Sequence, residues 1–131
     1  MEQTLSAAER LSVRPARLLT QNSNLRRDRI LNWSLPAWAG RFADGRTYNT
    51  CPSAGICARV CYARNGTYRF RTVLERHERN LAYVLDDLPG WTAQMIGEIH
   101  RKRRDITVRL HDTGDFFDVL RGSSACGVML R

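Results

Sequence analysis

The hydrophobic pattern between Phe70 and Leu110 constrains the fold more than any other feature of the sequence, because its period changes within 41 residues. One helical face with a period of about 3.6 residues is formed by Val73, Leu74, His77, Leu81, Val84 and Leu85. Asp86-Asp87 and Pro89-Gly90 interrupt this helix. A second helix is predicted from Trp91 to about Lys102, with Trp91, Met95, Ile96 and Ile99 facing inward.

A strand is predicted after the second helix, because Ile106, Val108 and Leu110 alternate with polar residues. The basic run 101–104 between them is interpreted as favourable cations at a helix C-terminus, with a phosphate-binding patch as the alternative. A helix, a turn and a strand in this order are typical of an α/β fold. One strand cannot make a sheet, and the N-terminal part is the candidate source of another. Residues 30–50, rich in Trp and Phe, are interpreted as an extended aromatic segment.

Composition places the chain among ordinary globular proteins. Its 131 residues suffice for one domain. With 43% hydrophobic and 26% charged residues, it is not a wholly disordered, collagen-like or coiled-coil chain. The net charge is +8, from 21 basic and 13 acidic residues, and Lys102 is the single lysine. A nucleic-acid surface usually mixes Lys with Arg, so we attribute the arginine excess to codon usage in a GC-rich genome.

No secretory signal and no membrane-spanning segment is expected from the sequence. The first ten residues have no basic stretch followed by an apolar one, which a secretory signal requires. No run of 18 apolar residues occurs, so no membrane-spanning helix and no membrane partner is expected. The predicted location is the cytoplasm, where thiols stay reduced.

Three cysteines form the strongest chemical motif. Cys51, Cys57 and Cys61 have the spacing C-x5-C-x3-C. Pro52 and Gly55 bend the chain between the first two, and Cys57 and Cys61 share one face if they lie on a helical turn. We therefore predict that the three thiolates converge as the ligands of a metal centre.

The spacing leaves the metal open. Three cysteines suit a four-iron iron–sulfur cluster with one iron free for substrate, although four thiolates are usual. Zinc is the alternative, but its sites usually have shorter gaps and four ligands. His77, His111 and Cys126 are candidate fourth ligands, none at a familiar spacing. Three ordinary cysteines, or a disulfide or redox sensor, remain further alternatives.

Polar residues follow the predicted strand directly. His111, Asp112 and Asp115 stand where α/β folds carry their chemistry, at the carboxyl end of a strand. We interpret them as candidate catalytic residues that could act as a base, as metal ligands or as a clamp on a polar substrate. The alternative is turn chemistry, with Asp112 in an Asx turn and Asp115 as a helix cap.

Aromatic and cationic residues alternate after the cysteines. Arg64, Tyr68 and Arg69, together with Arg109 on the predicted strand, are candidate contacts for a substrate or a phosphate. Such surfaces can stack bases and hold the phosphates of a nucleic acid. The alternative is a surface loop with extended arginine stems.

An ordered set of residues resembles a known family. The set comprises Asn32-Trp33-Ser34-Leu35-Pro36-Ala37, Thr50-Cys51-Pro52, Cys57, Cys61-Tyr62-Ala63, Gly66-Thr67-Tyr68-Arg69-Phe70, Asn80, Val108-Arg109-Leu110-His111 and Gly114-Asp115-Phe116-Phe117. It resembles the gene product 88 domain family of actinobacterial phages and their hosts. The resemblance implies a cysteine-rich loop at the entrance, followed by β/α units. That plan is similar to the start of an incomplete, half-barrel-like α/β domain of the radical S-adenosylmethionine type.

The resemblance divides the chain into three parts. Residues 1–20 are expected to be a weakly ordered N-terminal segment, and residues 21–117 the family-like domain. Residues 118–131 depart from the family pattern and are interpreted as an aberrant or truncated tail, so Cys126 is not expected to be a ligand.

The predicted function is that of an iron–sulfur-like metal-binding domain. Its activity would be redox or radical chemistry on an unknown small molecule or nucleic acid. The alternatives are a zinc-stabilised, basic nucleic-acid-binding module without catalysis, and an inactive truncated fragment.

Overall fold

The computed structural model of the chain describes residues 3–51, 55–61, 66–102, 104–110 and 128–130, with the backbone alone for residues 57, 58, 67, 68 and 128–130. The helices are α1 (Ala7–Ser12), α2 (Ser23–Arg27), α3 (Arg71–Asp86) and α4 (Leu88–His100), with two short 3-10 helices at Gly55–Arg59 and Gly66–Arg69. The strands are β1 (Ile30–Trp33), β2 (Ala39–Arg41), β3 (Thr47–Asn49), β4 (Thr107–Leu110) and β5 (Val128–Leu130).

The main sheet has the strand order β1-β4-β5. β1 and β4 are parallel, with Ile30 opposite Thr107 and Trp33 opposite Leu110, and β5 is antiparallel to β4. β2 and β3 form a separate antiparallel hairpin. The chain between β1 and β4 includes both long helices, as a crossover between parallel strands requires. The α/β class and the strand at 107–110 are therefore confirmed, and the partner strand lies within the segment interpreted as extended.

One hydrophobic core joins the sheet, the long helices and the N-terminal segment. β1 alternates, with Leu31 and Trp33 buried and Ile30 and Asn32 half-buried. The first 20 residues contribute Leu11, Leu18 and Leu19 to this core. The other buried apolar side chains are Leu35, Phe42, Leu81, Ala82, Tyr83, Met95 and Val108.

Asp87 separates the two long helices. Its backbone N–H donates to the Tyr83 carbonyl and ends α3. Its carboxylate accepts from the Gly90 N–H at 3.0 Å and caps α4. The predicted break is confirmed, but the second helix begins at Leu88 rather than at Trp91 because proline is tolerated in a first helical turn.

The inward face of α4 differs from the predicted one. Ile96 and Ile99 are 51% and 38% exposed, whereas Glu98 is buried. The Glu98 carboxylate accepts the backbone N–H groups of Leu18, at 2.9 and 3.1 Å, and of Leu19, at 3.1 Å. Buried N–H groups need an acceptor, so α4 turns its carboxylate rather than its isoleucines towards the N-terminal segment.

Both long helices keep apolar side chains at the surface. Leu81 on α3 and Met95 on α4 are buried, as predicted. Five others are 38–52% exposed, namely Leu74, Leu85, Leu88, Ile96 and Ile99. Within the described part of the chain, no helix has the length and apolar character needed to cross a membrane.

Candidate metal centre

Trp38 connects two of the three motif cysteines. Its backbone N–H donates to the Cys51 sulfur at 3.4 Å. Its indole N–H donates to the Cys61 sulfur at 3.3 Å. Two thiols that are ten positions apart in the sequence therefore contact one residue. The predicted convergence of all three cysteines stays a prediction.

The backbone of Trp38 adopts a rare conformation that makes this double contact. Its φ is +71°, in the left-handed region that bulky residues seldom occupy. Residues held in such conformations cluster at ligand sites, where the surrounding structure compensates their cost of about 1–3 kcal/mol. The conformation directs both nitrogens of Trp38 to sulfur atoms.

Thr50 holds the first cysteine against residues 34–38, which we call the Trp38 turn. It is 1% exposed, and its hydroxyl donates to the carbonyls of Pro36 and Trp38. Its backbone N–H also donates to the Trp38 carbonyl at 3.0 Å. The next N–H, that of Cys51, donates to the Asn49 side chain at 3.0 Å. Cys51 therefore follows β3 on a segment fixed by buried polar contacts.

Helix α3 fixes the other side of the same turn. Asn80 is buried, and its side-chain N–H donates to the Ser34 carbonyl at 2.9 Å. Leu35 and Pro36, which lie between Ser34 and Trp38, are both less than 2% exposed. The turn that bears Trp38 is thus anchored to the core before it reaches the thiols.

The donor chemistry of the described thiols suits a metal centre. Cys51 and Cys61 are half-buried and form no disulfide. N–H groups aimed at sulfur stabilise the negative charge of metal-bound thiolates. Across the described residues, no three His, Cys, Asp or Glu side chains converge, so His77 does not complete a set with these two. The side chain of Cys57 lies outside the described residues.

Several other predicted site residues lie outside the described part of the chain. These are Arg64, the side chain of Tyr68, His111, Asp112, Asp115 and Cys126. Arg69 is exposed at the end of the second 3-10 helix. Arg109 is half-buried on β4, opposite Asn32 of β1. Their proposed roles stay predictions.

A half-buried acid–phenol pair joins the hairpin to α3. The Tyr48 hydroxyl donates to the Glu78 carboxylate at 3.0 Å. Burial raises the pKa of Glu78, opposed by the hydrogen bond from Tyr48 and aided by the charge of Glu75. Burial also raises the pKa of Tyr48, with the neighbouring Glu78 charge adding to it. A Cβ atom on Gly40 would lie 2.5 Å from the Tyr48 hydroxyl, so this glycine allows the ring to cross the hairpin.

Sequence reasoning missed three residues that build the site. Trp38 was interpreted only as part of an aromatic segment, although it contacts both sulfurs. Thr50 and Asn80 appear in the ordered set that resembles the gene product 88 family, but without a role. That set was the available signal, because a polar residue inside a family pattern can mark a buried contact.

Comparison with known proteins identifies a family. The family model described as gene product 88 matches residues 10–125, which include the Trp38 turn, the three motif cysteines and both long helices. No curated protein and no solved structure matches the chain. The resemblance is confirmed over most of the sequence, and the chain belongs to the gene product 88 family.

Proposed function

We propose that Cys51, Cys57 and Cys61 together bind an iron–sulfur cluster and that the protein is a metal-binding α/β domain. The observation that carries the proposal is the pair of N–H donors on Trp38, one to each described sulfur. Free thiols without a ligand need no such paired donors. Thiolates at a metal use them, because N–H groups offset the charge on sulfur.

An iron–sulfur cluster fits this donor set better than a closed zinc site. A structural zinc site needs four protein ligands, and His77 does not join the described thiols. Three thiolates leave one iron of a four-iron cluster open. When bound, the cluster supplies one-electron redox chemistry, and the Trp38 donors would raise its reduction potential by stabilising the reduced, more negative state.

The surrounding fold supports a site near the carboxyl ends of the parallel strands. The Trp38 turn follows β1 along the chain, and His111, Asp112 and Asp115 follow β4 directly. Active sites of α/β folds lie at this end of the strands. The proposal therefore includes these three residues as substrate-side groups, β1–α3–α4–β4 as the first unit of a half-barrel-like fold behind a cysteine-rich loop, and a cytoplasmic location.

Metal analysis of protein purified without oxygen tests the cluster. We expect brown protein that contains iron and acid-labile sulfide, with absorption near about 400 nm. Cys57→Ser should abolish this absorption, whereas Cys126→Ser should leave it unchanged. Colourless protein with one zinc per chain would contradict the cluster and support a zinc-stabilised binding module instead. Full metal content in Cys57→Ser would overturn both forms of the site.

A tryptophan pair tests the role of Trp38. Trp38→Phe removes the indole donor to Cys61, and we expect metal affinity to fall on the order of 10-fold or more. Trp91→Phe is the matched control, because Trp91 packs against Trp33 at 5.1 Å and its indole N–H has no hydrogen-bond partner among the described residues. Equal metal affinity in the two variants would contradict the proposed geometry.

A further inference from the structure

A basic cleft opens at the amino ends of the parallel strands. Its volume is about 530 Å³, and Leu31 and Ile106 form part of its floor. Five cationic side chains line it, namely Arg26, Arg27, Arg29, Lys102 and Arg104. Arg69 and Arg109, the described members of the predicted phosphate-contact set, do not line this basic cleft.

The cations come from three parts of the chain. Arg26 and Arg27 end α2, and Arg29 precedes β1. Lys102 and Arg104 lie between α4 and β4. The Thr107 N–H donates to the Arg29 carbonyl at 3.1 Å, and this contact brings the starts of β1 and β4 together. The parallel pairing therefore collects charges that are far apart in the sequence.

Four of these cations lack an acidic partner within the part of the chain that the structure describes. Arg27 pairs with Asp28 at 3.5 Å, but Arg26, Arg29, Lys102 and Arg104 form no ion pair there. All five side chains are exposed. Cations at the ends of α2 and α4 gain from the helix dipoles, yet the dipoles do not explain why two such ends and Arg29 meet. Their mutual repulsion favours a bound polyanion.

We propose that the basic cleft binds successive phosphate groups in the backbone of a nucleic-acid strand. Its described lining contains neither an aromatic side chain for base stacking nor a carboxylate. Contacts to phosphate alone bind without sequence preference and weaken steeply with salt. Arginine, which supplies four of the five cations, pairs with phosphate through two parallel hydrogen bonds. This inference goes beyond the proposed metal centre and does not depend on it.

Two charge-matched double variants test the basic cleft. Arg29→Gln/Arg104→Gln removes two lining cations. Arg76→Gln/Arg101→Gln removes two exposed cations that do not line it. The probes are a labelled single-stranded oligonucleotide of about 12 nucleotides, a nucleoside triphosphate and inorganic phosphate. Binding is measured by fluorescence anisotropy and competition at several salt concentrations, after urea unfolding has shown that both variants fold.

We expect the cleft variant to bind the oligonucleotide about 10-fold more weakly. Its log–log salt slope should be smaller in magnitude by about 1.4, or about 0.7 for each lost phosphate contact on a single strand. The matched variant should stay within about twofold of the parent. Equal losses in both variants, or no binding by the parent protein, would overturn the proposal. A nucleoside triphosphate that competes as well as the oligonucleotide would overturn the strand as the ligand and leave free polyphosphate in its place.

Discussion

The packed body and the cysteine segment are stabilised by different forces. The packed body comprises the main sheet, α3, α4 and the N-terminal residues that they bury. Its most deeply buried apolar side chains include Leu18, Leu35 and Leu81, which are at most 2% exposed. In the cysteine segment, residues 51–70, Ile56 and Val60 are 79% and 76% exposed. Apolar burial therefore organises the body but does not organise the described part of the cysteine segment.

Because so little apolar surface is buried there, the described part of the cysteine segment depends on polar contacts. Its cysteine end is held by the Trp38 nitrogens and the Asn49 side chain. At its other end, the Phe70 carbonyl accepts the Val73 and Leu74 N–H groups of α3. A metal held by these thiols, as proposed above, would order the segment further, because metal binding and ordering are thermodynamically linked. Substitutions in the body should therefore change global stability, whereas substitutions beside the thiols should first change the reactivity of those thiols.

The largest effect is expected from Leu81→Ala. Leu81 is 1% exposed, and its truncation should lower the free energy of unfolding by about 3 kcal/mol because it leaves a cavity. Urea denaturation measures the change. Leu88→Ala is the control, since Leu88 is 52% exposed and its truncation should cost less than about 1 kcal/mol. Similar costs for both variants would mean that the body is not held together by this packing.

A smaller loss is expected from Glu98→Ala. The substitution leaves the backbone N–H groups of Leu18 and Leu19 without their acceptor, at a cost of about 2 kcal/mol. Glu98→Gln keeps one acceptor oxygen and should cost less. Thermal denaturation of the three proteins measures the order. An alanine variant as stable as the parent would show that the carboxylate does not anchor the N-terminal segment.

Thr50→Val tests how the packed body and the exposure of the thiols are connected. It removes the hydroxyl donor to the Pro36 and Trp38 carbonyls, so we expect a loss of about 1 kcal/mol together with faster labelling of Cys51 by a thiol reagent. Thr92→Val removes a comparable hydroxyl bond on α4, to the Leu88 carbonyl, and should not change the labelling rate. Mass spectrometry of the labelled peptides gives both rates. An unchanged labelling rate in the Thr50 variant would show that Thr50 does not hold Cys51 in place.

The smallest expected effect is a pH dependence of stability that arises from Glu78, the hydrogen-bond partner of Tyr48 in the hairpin. Burial raises the pKa of Glu78, so this group favours folding below its unfolded pKa of about 4.3 and loses that contribution as pH rises through the folded value. Glu78→Gln should therefore gain stability relative to the parent as pH increases from about 4 to 7. Urea midpoints across that range measure the trend.

Glu9 supplies a control of opposite sign. The Ser6 hydroxyl lowers the pKa of Glu9 by hydrogen bonding, so its contribution is present above the unfolded pKa and is lost as pH falls. Glu9→Gln should lose stability relative to the parent as pH increases. Parallel trends in the two variants would contradict the assignment of Glu78 to a desolvated site.

Local patterns predicted the elements better than their faces. The alternation at 106–110 and the period after Phe70 identified β4, α3 and α4, because spacing along one element is visible in the sequence. The inward face of α4 was wrong at Ile96 and Ile99, since the buried Glu98 meets backbone groups about 80 positions away. Such a partner leaves no mark on the periodicity of the helix itself.

The candidate site divides in the same way. The cysteine spacing predicted that three thiolates converge, which stays a prediction. The structure shows two of these thiols, Cys51 and Cys61, in contact with Trp38. The donor that joins them was not predictable, because it depends on the left-handed backbone of Trp38 and on Thr50 packed beneath the turn. The family set contained Thr50 and both cysteines without assigning their contacts, and it did not contain Trp38.

The sequence by itself determined the α/β class, the long helices, the cysteine motif and the family, since each depends on spacing or order along the chain. Only the tertiary structure decided which N–H groups face the sulfurs and why Glu98 is buried. It also decided that Arg29 and Arg104 line one basic cleft. These are contacts between residues distant in sequence. Their geometry is set by the parallel pairing of β1 with β4 and by the packing of the N-terminal segment against α4.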